Sequence, residues 1–162
     1  ARESLMWAAT LAGIAFGNAG VHLPHGMAYS IAGLVRGYEP PGYPAGHGMV
    51  PHGVSVVLAA PSVFRFTAAA CPDRHLEAAL ALGADTRGAA DADAGPILAD
   101  WLVALMREAA IPNGLAGVGY GTRDVEPLTA GAIVQRRLVE NAPRIVHRDD
   151  LQEMFAGALS YW

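Results

Sequence analysis

Apolar positions recur at three- and four-residue intervals along nearly the whole chain, and no stretch alternates apolar with polar residues long enough to build a sheet. The pattern predicts an all-α fold. The first helix runs from about Ser4 to Asn18, with Gly17 and Gly20 as its stop. A second begins at Pro24, a residue suited to the first helical turn, and carries through Val35 up to Gly37. From Gly37 to Gly53, Pro40, Pro41, Gly42, Pro44, Gly46, Gly48 and Pro51 forbid any regular element. Loops of that length in a compact domain usually carry function, which draws attention to His47 and to His52 at its end. Val54 to Ala70 reads as a buried helix, despite the local strand preference of Val54, Val56, Val57 and Val63. Pro72 to Leu82 follows, with Leu76, Ala79 and Leu80 inward, and then Ile97 to Ala109, with Leu98, Trp101, Leu102 and Leu105 on one stripe. The tail predicts helices over Asp124–Leu138 and Asp149–Tyr161, the latter with Leu151, Met154, Phe155, Ala158 and Leu159 on one face. No repeat or linker divides the chain, so residues 1–162 read as one domain.

Composition narrows the possible functions. A chain of 162 residues can bury roughly 70% of its unfolded surface. With 52% hydrophobic and only 16% charged residues it is too apolar for disorder, and some apolar surface is expected to meet a partner, a second copy among the candidates. All 11 basic residues are arginine, which excludes Schiff-base lysine chemistry and a phosphate-loop lysine. The net charge of -4, with no basic run longer than Arg136–Arg137, argues against nucleic acid. Cys71 is the single cysteine, so there is neither an internal disulfide nor a thiolate cluster, and a reducing, cytoplasmic location is expected. Leu5 to Phe16 loosely follows the order of a signal peptide. However, Glu3 offsets Arg2, and Gly13 and Gly17 break the run short of the ~20 residues needed to span a bilayer, so neither targeting nor membrane insertion is expected. The absence of Met at position 1 is read as a start inside a longer polypeptide or as processing.

Four of the six histidines fall between His22 and His52. His25 and Tyr29 are four apart and share a helix face, and His52 sits where the loop can fold back over that face, so two imidazoles can converge on one metal ion. Two ligands are too few for a catalytic metal, and the only acid nearby is Glu39 in the loop. The residues alone leave two readings open: ligation, or imidazoles that cap helices and bond carbonyls. His75 and His147 lie on exposed-looking stretches and read as ordinary surface residues. Asp91 with Asp93 and Asp149 with Asp150 precede helices, where the macrodipole favours acids. Gly117 to Gly121 reads as a turn, and Ser55 and Ser62 lack a paired acid and base.

Three segments, Ala8 to Gly20, His22 to Tyr29 and Pro51-His52-Gly53, resemble the iron-containing alcohol dehydrogenase family. Arg74 to Asp85 and the region from Gly119 to Leu159 extend the resemblance over essentially the whole chain, and Gly17 to His22 with His25 to Tyr29 is most similar to its hydroxyacid-oxoacid transhydrogenase branch. The resemblance implies a multi-helix C-terminal domain of the dehydroquinate synthase-like fold, with an N-terminal α/β nucleotide-binding domain lying outside this chain as its partner. It implies a divalent metal, Fe²⁺ or Zn²⁺, held by an Asp and a His upstream of Ala1 and by two later histidines that match His25 and His52. NAD(P) would be bound mainly by the missing domain, and no cofactor-binding residue is assigned here. Many members carry a second His where Tyr29 stands, near nicotinamide and substrate, which makes Tyr29 the catalytic candidate as a hydrogen-bond donor. Phe16 matches a position lining the substrate cleft, and His22, typical of the transhydrogenase branch, suits a substrate carboxylate. The implied activity is hydride transfer from a small hydroxy acid or alcohol, 4-hydroxybutyrate for example, to nicotinamide or through it to an oxoacid. The competing expectation is a helical metal-binding or interaction module that works alone without catalysis.

Overall fold

The computed structural model describes residues 1–162 and is entirely helical. Its helices are α1 (Arg2–Ala19), α2 (Leu23–Gly33), α3 (His52–Thr67), α4 (Pro72–Leu82), α5 (Ala94–Glu108), α6 (Val125–Ile133), α7 (Arg136–Val139) and α8 (Arg148–Gly157). Helix α3 is the axis of the bundle and packs against α2, α5 and α8, while α6 bridges α2 and α8 and α4 lies on α5. The main core joins Leu23, Met27 and Ile31 of α2, Leu58 and Val63 of α3, and Leu128, Leu151 and Phe155 of the tail. Each large side chain withdrawn from water there contributes about 1.5–3 kcal/mol. A smaller core of Ala79, Ala84 and Leu98 holds α4 on α5, with Phe64 and Leu102 packed beside it. The stretch His52–Ala70 is long and apolar enough to cross a bilayer by composition alone, but the buried face of α3, with Leu58, Ala59 and Val63, serves the core of the bundle.

Helix α1 stands apart. None of its 18 residues is buried, and it meets α2 at 108° through Gly20, whose φ of +73° favours a residue without a side chain. Asn141 ties the joint by donating from Nδ2 to the carbonyls of Ala19 and Val21, both at 3.2 Å.

The structure redraws several expected boundaries. Helix α2 ends at Gly33, short of Val35, and the irregular segment to Pro51 is held locally by Met49 N–H on the Tyr38 carbonyl and Gly46 N–H on the Glu39 carboxylate. Helix α3 starts at His52, so that histidine belongs to the first helical turn. Burial overrides the strand preference of its valines. The single helix expected over Asp124–Leu138 is two, because Gln135 leaves helical geometry at ψ 54° and restarts the chain as α7. Helix α8 stops at Gly157, where the Ala158 and Leu159 carbonyls turn to accept the amides of Leu115 and Ala116.

Two helix faces were misread by hydropathy. On α5 the buried positions include Ala94, Gly95, Leu98, Ala99 and Met106, whereas Trp101 and Leu105 are exposed. Small residues let α5 approach α3 so closely that a Cβ on Gly95 would lie 3.1 Å from Arg65 Cα. On α4 the buried residues are His75 and Ala79, while Leu80 faces solvent. The surface assignment of His75 is therefore corrected.

Candidate metal and substrate site

Pro24 in the first turn and His22 at the cap start α2, placing His25 in that turn with its N–H on the His22 carbonyl at 3.0 Å. Pro51 caps α3 and puts His52 first in that helix, where Ser55 Oγ donates to the His52 carbonyl at 2.7 Å. The α2–α3 contact brings the two imidazoles together with ring centroids 5.4 Å apart and planes inclined by 55°. Two imidazoles sharing an ion through nitrogens at ~2.1 Å in near-tetrahedral array have centroids on the order of 5 Å apart, so the pair fits shared ligation. Neither ring is hydrogen-bonded to protein, so nothing competes for the lone pairs. Burial, and then the neighbouring His52, hold His25 below the ordinary imidazole value, which keeps it neutral as a ligand must be.

The pair brings two imidazoles together and no further ligand. Nowhere in the structure do three or more His, Cys, Asp or Glu converge on one point. Both histidines also occupy helix N-terminal turns, where backbone dipoles disfavour a cation, so a divalent ion there calls for carboxylate from outside this chain. His25 and His52 open on a cavity of about 470 Å³ walled by Val56, Val57 and Phe64, with His22 on its edge. A second cavity of about 870 Å³ adjoins it and shares His22 and Phe64, reaching Cys71, His75, Leu98 and Leu102.

Phe64, which lines both cavities, makes edge-on contacts with His22 at 6.4 Å and with His75 at 5.7 Å between centroids. His75 is fixed from below: Nδ1–H donates to the Cys71 carbonyl at 2.9 Å, and Nε2 pairs with the Thr67 hydroxyl at 2.9 Å. Hydropathy could not find this residue among Asp73, Arg74 and Glu77, yet the four-residue spacing of Cys71 and His75 at a helix start was the available signal. Burial first, then His25 and His75, lower the proton affinity of His22, whose Nδ1 is buried without a partner.

The remaining candidates lie elsewhere. Tyr29 follows His25 by one turn, is 57% exposed, and does not line the histidine cavity. Phe16, 56% exposed on α1, borders a separate cavity of about 420 Å³ with Arg137, Leu138 and Asn141. His47 is exposed in the loop, and His147 caps α8, its N–H bonded to Asp150.

The chain is 46% identical over its full length to the hydroxyacid-oxoacid transhydrogenase, mitochondrial, of Bos taurus, of which it covers 35%. It is 42% identical, again over its full length, to the probable hydroxyacid-oxoacid transhydrogenase, mitochondrial, of Dictyostelium discoideum, covering 30%. The chain thus spans about a third of the length of the curated relatives it matches. Among solved structures, 91% of the chain superposes on 35% of an alcohol dehydrogenase from Oenococcus oeni, with a TM-score of 0.77 and 26% identity. A 1,3-propanediol oxidoreductase gives 0.76 and 25% over the same shares. The cytoplasmic expectation is overturned by relatives named as mitochondrial; a lone cysteine suits any reducing compartment and does not single out one. Residues 1–159 match the model of the Fe-containing alcohol dehydrogenase family, C-terminal, and it is to this family that the chain belongs.

Proposed function

We propose that this chain is the helical, metal-binding domain of a longer two-domain oxidoreductase that moves hydride between a small hydroxy acid or alcohol and a nicotinamide. The observation that carries the reading is the convergence of His25 and His52, two unbonded imidazoles at 5.4 Å, on one cavity. These two would hold a divalent ion, Fe²⁺ or Zn²⁺, completed by ligands outside this chain; such an ion would supply Lewis acidity, and NAD(P) held by the other domain would supply the hydride chemistry. Burial, and then the nearness of His52, hold His25 below the ordinary imidazole value, which favours the neutral form a ligand needs. Val56, Val57 and Phe64 keep the site poor in water and admit a short carbon skeleton. Tyr29, on the helix of His25, offers a hydroxyl to a ligand lying over that helix, and Phe16 with the rest of α1 offers apolar surface to the preceding part of the protein. The names of the relatives favour a hydroxy acid donor and an oxoacid acceptor, 4-hydroxybutyrate being a fitting test compound.

The test is turnover by the two-domain protein. Metal-dependent reduction of NAD⁺ or NADP⁺ with 4-hydroxybutyrate or a plain alcohol is expected, lost on chelation and regained with Fe²⁺ or Zn²⁺. Absence of metal-dependent turnover with every small alcohol and hydroxy acid would overturn the proposal and favour a binding module.

A further inference from the structure

We infer that His22 reads the acid group of the substrate, donating from Nε2 to a carboxylate oxygen of a hydroxy acid whose hydroxyl end lies toward His25 and His52. This rests on the function proposed above and adds the residue that separates hydroxy acids from plain alcohols.

The starting point is an unmet hydrogen-bonding need. Neither ring nitrogen of His22 has a protein partner, and only Nδ1 is buried, which leaves Nε2 accessible. A buried N–H without an acceptor is rarer and costlier than a buried lone pair without a donor. The neutral ring therefore keeps its lone pair on Nδ1 and its proton on Nε2. His22 borders both the 470 Å³ and the 870 Å³ cavity, which is where its ring can meet a ligand. The outcome is one N–H donor of defined tautomer beside largely apolar walls, which is what orients a small anion.

Its position suits the task. His22 caps α2 and His25 stands three residues on, a rise of roughly 5 Å along the axis and within the span of a four-carbon hydroxy acid. The start of α2 also favours negative charge. The ring packs edge-on against Phe64, which in turn packs edge-on with His75, whose two nitrogens are committed to Cys71 and Thr67. The donor is thus prepared before a ligand arrives. Arg74, the cation on the rim of the larger cavity, does not border the cavity of His25 and His52, whereas His22 borders both.

The experiment compares 4-hydroxybutyrate with 1,4-butanediol, which replaces the carboxylate by a hydroxymethyl group, in the metal-loaded two-domain protein. His22→Leu is expected to lower the ratio of kcat/KM for acid over diol by roughly 10–100-fold, mainly through KM, because a hydrogen bond to a charged group is lost. His22→Gln, which keeps an amide N–H near the Nε2 position, should restore most of that ratio. In addition, ¹⁵N-labelled His22 should shift on adding 4-hydroxybutyrate and much less on adding the diol. If His22→Leu lowers both substrates equally, or leaves the ratio unmoved, His22 serves only the start of α2 and the inference fails while the proposed function stands. A wild-type protein inactive with every small alcohol and hydroxy acid, these two included, would defeat the proposed function and this inference with it, whereas activity on alcohols without activity on any hydroxy acid would defeat this inference alone.

Discussion

Helices α1 and α3 are both long and apolar, yet the fold treats them oppositely. Leu58, Ala59 and Val63 of α3 are sealed among α2, α5 and α8, whereas Leu5, Met6, Trp7, Leu11 and Ile14 of α1 are all exposed. The difference lies in what surrounds each helix. Helix α3 presents Ala59, Ala60 and Ser55 to neighbours that can approach closely, and the buried Ser55 hydroxyl bonds within the helix, to the His52 carbonyl. Helix α1 carries bulky side chains all round and is joined to the body only at its C-terminal end, where Asn141 holds Ala19 and Val21. Apolar periodicity thus decides that a segment will be helical and desolvated somewhere, without deciding against what.

The comparison breaks most visibly in stability. Leu58→Ala should cost about 2–5 kcal/mol, while Leu11→Ala should change the stability of this chain by no more than about 0.5 kcal/mol. Urea unfolding measures both, and similar losses would mean that α1 is packed after all. A smaller effect of about 1–2 kcal/mol is expected for Asp124→Asn. Asp124 is shielded from solvent, accepts the Gly121 N–H at 2.8 Å and pairs with Arg36 at 2.5 Å; the Gly121 amide first, and Arg36 after it, hold its carboxyl below the usual value. Because its folded-state proton affinity is depressed, its contribution is complete above the unfolded value of ~3.9 and disappears as pH falls below it. Wild type and variant should therefore converge in acid, and a difference that persists at pH 2 would contradict this.

Exchanging Leu5, Trp7, Leu11 and Ile14 for Gln should leave helicity and unfolding midpoint nearly unchanged but suppress self-association of the 162-residue chain. Light scattering reads this directly, and unaltered association would shift attention to another surface. The smallest effect concerns His22 and His25. Burial is the first cause of the lowered proton affinity of both, so stability should decline as pH falls through the free imidazole value of ~6.5. The decline should be shallower in His25→Gln, and a slope that is the same in both proteins would contradict the assignment.

How much was legible follows the same physics. Pro24 and Pro51 announce the starts of α2 and α3, and the intervening Gly/Pro segment must fold back between them, so the meeting of His25 and His52 could be anticipated from the chain. The resemblance added the expectation that the remaining ligands lie outside the chain. His75 was not legible, because its buried face on α4 is polar and small, His75 and Ala79, while the leucines that dominate hydropathy, Leu80 and Leu82, point outward. Helix α5 misled in the same way, since close approach to α3 needs Gly95 and Ala99 and pushes Trp101 to the rim. The Phe64 bridge between His22 and His75 depends on tertiary packing of three elements, which no local pattern encodes.

The central claim is that His25 and His52 form half of a metal shell. Anaerobic calorimetric titration of the chain with Fe²⁺ and with Zn²⁺, beside His25→Ala and His52→Ala, tests it most directly. Weak binding that either substitution abolishes is the predicted result. Binding indifferent to both substitutions, or tight binding that survives one of them, would contradict it.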